Sequence, residues 1–143
     1  MIGKCLHSTG ASLGQPQRGH FYSHDTVFDL QVGSDYPVLG MGIFDTALVA
    51  LVLDDTRNPN WLPVGLFAFE PQGLPASWEF VLLDGAAASG GESSNRWVAI
   101  WGYPDLVRNA SHSDALIERD PAALDVFFRE LAKRPEWETP QQT

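Results

Sequence analysis

Three groups of side chains in this 143-residue chain have the composition for chemistry: Cys5 with His7, His20 with His24 and Asp25, and the adjacent pair Asp54 and Asp55. Cys5 and His7 stand two apart, so on a strand they point the same way. A thiolate nucleophile also needs an orienting group and oxyanion donors, and the sequence identifies neither. His20 and His24 are four apart, the spacing that lets two imidazoles share an ion on a helix face. GHFYSHDT sits between a glycine and a strand-like run, however, and in extended chain the rings lie about 13 Å apart, too far for one metal ion. Neighbouring carboxylates in a turn diverge, so Asp54 and Asp55 are not an acid and base pair, and Asp54 is expected to cap its turn. There is no phosphate-binding glycine loop and no nucleophile elbow. The residues thus assign no catalytic group, metal or cofactor.

The elements that must position these residues are mostly strands. Phe28, Leu30 and Val32 alternate with Val27, Asp29 and Gln31, the period of a half-buried strand. Gly33 and Ser34 turn the chain into an extended run from Tyr36 to Ile43, where Gly40 and Gly42 permit a bulge. Ala47 to Leu53 is apolar throughout, which calls for cover on both faces and a central position. DDTRNPN, Asp54 to Asn60, is a turn, and Pro63 either places the strand that begins at Trp61 on an edge or interrupts it. Further strands are expected at Trp78 to Leu83 and at Trp97 to Trp101.

The C-terminal third is helical. Asp120 reads as an N-cap before Pro121, with Asp125 early and Arg129, Lys133 and Arg134 late, ahead of Pro135. Leu124, Phe127, Phe128 and Leu131 form an apolar stripe, expected to lie on the outer face of the sheet. Burying four such side chains is worth roughly 6 to 12 kcal/mol gross. Ser111 with Asp114 suggests a capped short helix over Ser113 to Glu118. The expected organisation is one domain over 1–143: a β-rich part over 4–101, a helical part over 104–134, a flexible loop over 84–95 and a disordered tail over 138–143.

Charge is concentrated in the middle. From Gly19 to Asn95 ten acids face a single base, Arg57, and this segment's −9 equals the net charge of the whole chain. Such a field disfavours nucleic acid and anionic membranes and either steers a basic protein partner toward the surface or serves solubility alone. The lone cysteine excludes an intramolecular disulfide. The polar start and the short apolar runs speak against a signal peptide and a membrane span, so a cytoplasmic location is expected. Of the tryptophans, Trp61, Trp78, Trp97 and Trp137 read as core, whereas Trp101 in WGYPD ends a strand and suits an interface. The expected partner-binding residues are Asp54, Asp55, Asp45, Glu70, Trp101 and Tyr103.

VGSDYPVL, residues 32–39, followed by NWLPVGLF, residues 60–67, resembles the pattern of small SH3-like barrels. The middle is also similar to small bacterial proteins of unknown function with a V-G-x-x-Y-x-V stretch followed by W-x-P-x-x-L-F, some of which sit beside secreted toxins as candidate immunity proteins. The resemblance covers about Cys5 to Phe80. It implies an α+β, mainly β fold: an antiparallel SH3-like barrel of five to seven strands with the C-terminal helix packed outside. KCLHSTG lacks the aromatic residues of a polyproline-binding groove, so peptide capture of that type is not implied. The functional expectation is a non-catalytic immunity protein that occludes a toxin's basic active site. The alternatives are a small enzyme or metal-dependent protein using Cys5, His7, His20 or His24, and a regulatory module of a larger assembly.

Overall fold

The computed structural model describes residues 1–18, 22–70, 73–83, 97–109 and 111–134. The predicted loop over 84–95, the predicted tail over 138–143, and His20, Pro135 and Trp137 lie outside them. The strands are β1 (Ile2–Cys5), β2 (Asp35–Phe44), β3 (Ala47–Leu53), β4 (Pro59–Pro63), β5 (Phe67–Phe69), β6 (Glu79–Leu82) and β7 (Trp97–Gly102). The helices are α1 (Gln15–Arg18), α2 (Pro104–Arg108), α3 (His112–Ile117) and α4 (Pro121–Ala132).

The fold is mainly β, an antiparallel sheet of seven strands with a C-terminal helix. It is organised by β2, which is long enough to serve two sets of partners. Its first residues pair with β1, Gly3 opposite Tyr36, while Gly40 to Phe44 pair with β7. Its other edge pairs with β3. The path runs β4-β3-β2-β1-β5, and β7 carries β6 beside β2. Among the described residues the sheet does not close, and the expected SH3-like barrel is not confirmed. Among the described residues β4, β5 and β6 each pair on one side only.

The expected bulge lies at Leu39, between the pairs Val38 with Val52 and Gly40 with Leu51. Both glycines admit a close neighbour. A Cβ on Gly40 would stand 2.5 Å from Leu106 Cδ2, and one on Gly42 2.7 Å from Trp97 Cζ3. Absence of those side chains lets α2 and Trp97 sit directly on β2.

β3 has the predicted cover on both faces. Val49, Leu51 and Leu53 join a cluster with Trp61, Trp97, Tyr103, Leu106 and Phe127 on the helical side. Ala50 and Val52 join Cys5, Phe28, Leu30, Tyr36, Met41 and Phe67 on the other. Leu48, at the start of the strand, is the exception and stays exposed. β4 takes the edge, one of the two expected outcomes, but it runs Pro59–Pro63 and so begins inside the predicted turn and ends at Pro63.

The predicted strand from Val27 to Val32 does not form. Phe28 and Leu30 are buried as the alternation requires, but Val32 is exposed. The backbone bonds at this segment go to loops rather than to a strand ladder: Phe28 N donates to Ser8 O at 2.8 Å and Gly10 N to Thr26 O at 2.8 Å in the N-terminal loop, Leu30 N turns back to Phe28 O at 2.8 Å, and Asp29 O accepts from Asp55 N at 3.0 Å. Only an isolated bridge, Thr9 with Val27, has ladder geometry.

In α4 the Asp120 side chain accepts from Ala123 N at 3.1 Å, the predicted cap. Its inward line is Ala123, Phe127 and Glu130. Leu124 and Leu131 flank that line, and Phe128 is exposed at the rim, edge-on to Phe127. The stripe is therefore rotated from the expected one, and Lys133 at 2.9 Å neutralises the buried Glu130. α3 begins at His112 without a side-chain cap from Ser111. Asn109 Oδ1 instead accepts from Ser111 N at 3.2 Å and from its hydroxyl at 3.0 Å.

Candidate partner-binding surface

Cys5 and His7 do not come together as a reactive pair. The Cys5 sulfur is buried and donates to the His7 carbonyl at 3.3 Å, while the His7 side chain is exposed. Burial raises the Cys5 thiol, the carbonyl contact opposes this, and Asp55 raises it further, so the thiolate nucleophile is disfavoured. His24 is exposed beside Asp25, at 3.3 Å. Among the described residues no group of three or more His, Cys, Asp or Glu is placed to hold a metal ion.

The histidine that sequence reasoning missed is His112. It is buried, and its Nε2 lies 2.6 Å from the hydroxyl of Tyr103, which is fully buried. Burial raises the Tyr103 phenol, as do Glu130 and Asp105, so the hydroxyl stays protonated and donates. Burial lowers His112, and Asp105 opposes that shift, so the imidazole accepts in its neutral form. Tyr103 is therefore a core residue and not the surface anchor expected of it. The chain leaves β7 at Gly102, and Tyr103 stands at the N-cap position of α2 without a side-chain cap bond, its ring packed near Phe127.

Asp54 and Asp55 also separate. Asp54 is 6% exposed and accepts from Thr56 N at 3.0 Å, from the Thr56 hydroxyl and from Asn60 Nδ2 at 2.8 Å. Arg119, at the α3–α4 junction, donates to Asn60 Oδ1 at 2.8 Å and to Pro59 O at 2.7 Å. The Asp54 carboxylate thus holds the turn, as expected of a cap, and is too buried to meet a partner directly. Asp55 is exposed and accepts from the Tyr36 hydroxyl at 3.0 Å and 3.1 Å. Tyr36 is pushed up to about 12, first by burial and also by Asp55, against the opposing bond from Gln31 N. Asp55 N donates to Asp29 O at 3.0 Å, so two exposed acids share this loop surface.

Asp45 has a φ of 60° in the turn between β2 and β3 and is half-buried. Glu70 is exposed after β5, beside a shallow groove of about 340 Å³ that Lys4, Asp35 and Phe69 also line. Trp101 is half-buried, its ring 5.8 Å from that of Phe80. The six expected residues therefore do not make one patch: Asp54 and Tyr103 are internal, and the other four are distributed over separate loops and β7.

What Trp101 does belong to is an apolar face. Sheet register places Leu48, Ile43, Ala99 and Leu82 in one row across β3, β2, β7 and β6, and Ala50, Met41, Trp101 and Phe80 in the next. The rows are buried at Ala50 and Met41 but open at their ends: Leu48 is 42%, Phe80 60% and Leu82 73% exposed. An exposed run of large apolar side chains on one strand is unlike the scattered leucines of an ordinary surface. SWEFVLL signalled a strand, but nothing local in it shows which face goes uncovered.

No family model matches the chain, and no curated protein or solved structure matches it. The class is thus defined by the structure alone: a mainly β protein with an open seven-stranded sheet, α2, α3 and α4 on one face and a partly uncovered apolar face on the other. Among the described residues no helix is long and apolar enough to cross a membrane.

Proposed function

We propose that this chain is a non-catalytic binding protein, an immunity protein that neutralises a bacterial toxin in the cytoplasm by covering its basic active site. The observation that carries this reading is that much of the acidity is displayed at the surface. Asp25, Asp29, Asp55 and Glu70 are exposed, while the half-buried Trp101 and the exposed Phe80 supply apolar anchors. Exposed acids accelerate encounter with a basic partner, and a few desolvated aromatic groups then hold it.

Co-expression with the product of the neighbouring reading frame tests the proposal. Viable cells and a stable complex are expected when both are made, with death when the neighbour is made alone. Equal viability with and without this chain contradicts it. An association rate that does not fall as salt rises contradicts the electrostatic part.

A further inference from the structure

Among the described residues the sheet has three open edges, and they are not equivalent. β4 has Pro59 and Pro63 at its two ends, and proline removes a backbone donor and discourages an added strand. β5 is only three residues long, and Pro71 follows shortly after it. β6, Glu79-Phe80-Val81-Leu82, contains no proline and no lysine, and its one acid is engaged by Arg108, whose Nε donates to Glu79 Oε1 at 2.8 Å. It is as short as β5 to within one residue, but the proline and lysine that commonly block an edge are absent from it.

Backbone direction adds a second feature. Leu83 N donates to Val98 O of β7 at 2.7 Å, so by strand alternation Val81 and Glu79 also turn their backbone groups toward β7. Phe80 and Leu82 then turn theirs to the open edge. These are also the two residues of β6 whose side chains are most exposed. Free backbone groups and uncovered apolar side chains coincide on the same two residues.

Charge selects the occupant. From Asn58 to Asn95 the sequence holds four acids and no Lys, Arg or His. On the opposite face of β6 lie Glu79, Arg108 and the exposed Asp105, and Arg134 donates to Ser77 just before the strand at 3.3 Å, so acids and bases balance locally and the excess is that of the chain as a whole. A second copy would bring another −9 against this one, whereas a basic chain meets opposite charge. We infer that β6 receives an extended segment of the basic partner as an added antiparallel strand, with apolar side chains over Phe80, Leu82 and Trp101 and basic side chains toward Glu79 and Asp105. This rests on the proposed function for the identity of the partner.

The test is amide hydrogen exchange on the full chain with a capped seven-residue peptide of alternating lysine and valine. Its glutamate–valine counterpart serves as the comparison. The lysine peptide is expected to slow exchange at Phe80 and Leu82 by roughly tenfold or more, and the glutamate peptide far less. Leu82→Pro, which removes an edge donor, and Phe80→Lys, which places like charge at an exposed position, should each abolish the protection. No protection, equal protection by both peptides, or protection at Ala68 of β5 instead overturns the inference. So does protection that rises with protein concentration alone, which assigns the edge to a second copy. Toxin neutralisation that survives both substitutions overturns the added strand and leaves the immunity reading intact. Protection by the lysine peptide without neutralisation by the wild-type chain supports the strand and overturns that reading.

Discussion

The two faces of the β3–β2–β7 sheet are built from the same strands yet finished differently. On one, α2, α3 and α4 bring Leu106, Leu116, Ala123 and Phe127 onto Trp97 and Tyr103, and every one of these residues is buried. On the other, loop residues Leu13, Phe28 and Leu30 cover the end nearest β1, and the cover stops before Leu48, Phe80 and Leu82. The first face is committed to stability. The second keeps apolar area that folding does not use, which is where binding energy can be found without dismantling the core.

If that division is correct, substitutions on the helical face should cost most. Phe127→Ala should lower unfolding free energy by about 3–5 kcal/mol, read by denaturant melts, because the side chain is fully enclosed. A loss under 1 kcal/mol would mean that the helices are not the true cover.

The buried Tyr103–His112 contact gives that face a pH dependence. His112 is held below its ordinary value near 6.5, so below that pH the unfolded chain binds a proton that the folded chain does not. Stability is therefore full above about 6.5 and falls as the pH drops toward the depressed folded value. His112→Gln, which can still accept from Tyr103, should flatten this part of the profile in thermal melts across pH 7 to 4.5. An unchanged slope would assign the acid sensitivity elsewhere.

Smaller effects follow at the helix start and on the open face. Asp120→Ala removes one cap bond and should cost about 1 kcal/mol. Leu82→Ser, on the open face, should change stability by about 0.5 kcal/mol or less while weakening the partner complex. A destabilisation comparable to that of Phe127→Ala would erase the distinction between the faces.

Sequence made one face far more legible than the other. The uninterrupted apolar run of β3 demanded cover on both sides, and Asp120 with Pro121 marked where the covering helix begins. The turn chemistry of DDTRNPN located Asp54 correctly. Failures came where pairing or bulges override periodicity. Val27 to Val32 alternates like a strand but bonds to loops. In β7 the register shift opposite Ile43 and Phe44 places Trp97 on the helical face while Trp101, four residues on, packs toward the other. Tyr103 is internal because the strand ends just before it, and no local pattern marks His112, whose partner is nine residues away. The open apolar ends of the rows are set by how far a loop reaches, which no local pattern encodes.

The most direct test of the central claim, neutralisation by binding rather than by chemistry, is a titration of the purified toxin domain with this chain. Binding by occlusion predicts that activity falls linearly and vanishes at an equimolar ratio, with toxin recovered unmodified after the complex is dissociated. Complete neutralisation at a small fraction of an equivalent, with modified toxin as the product, would contradict it and make this chain an enzyme.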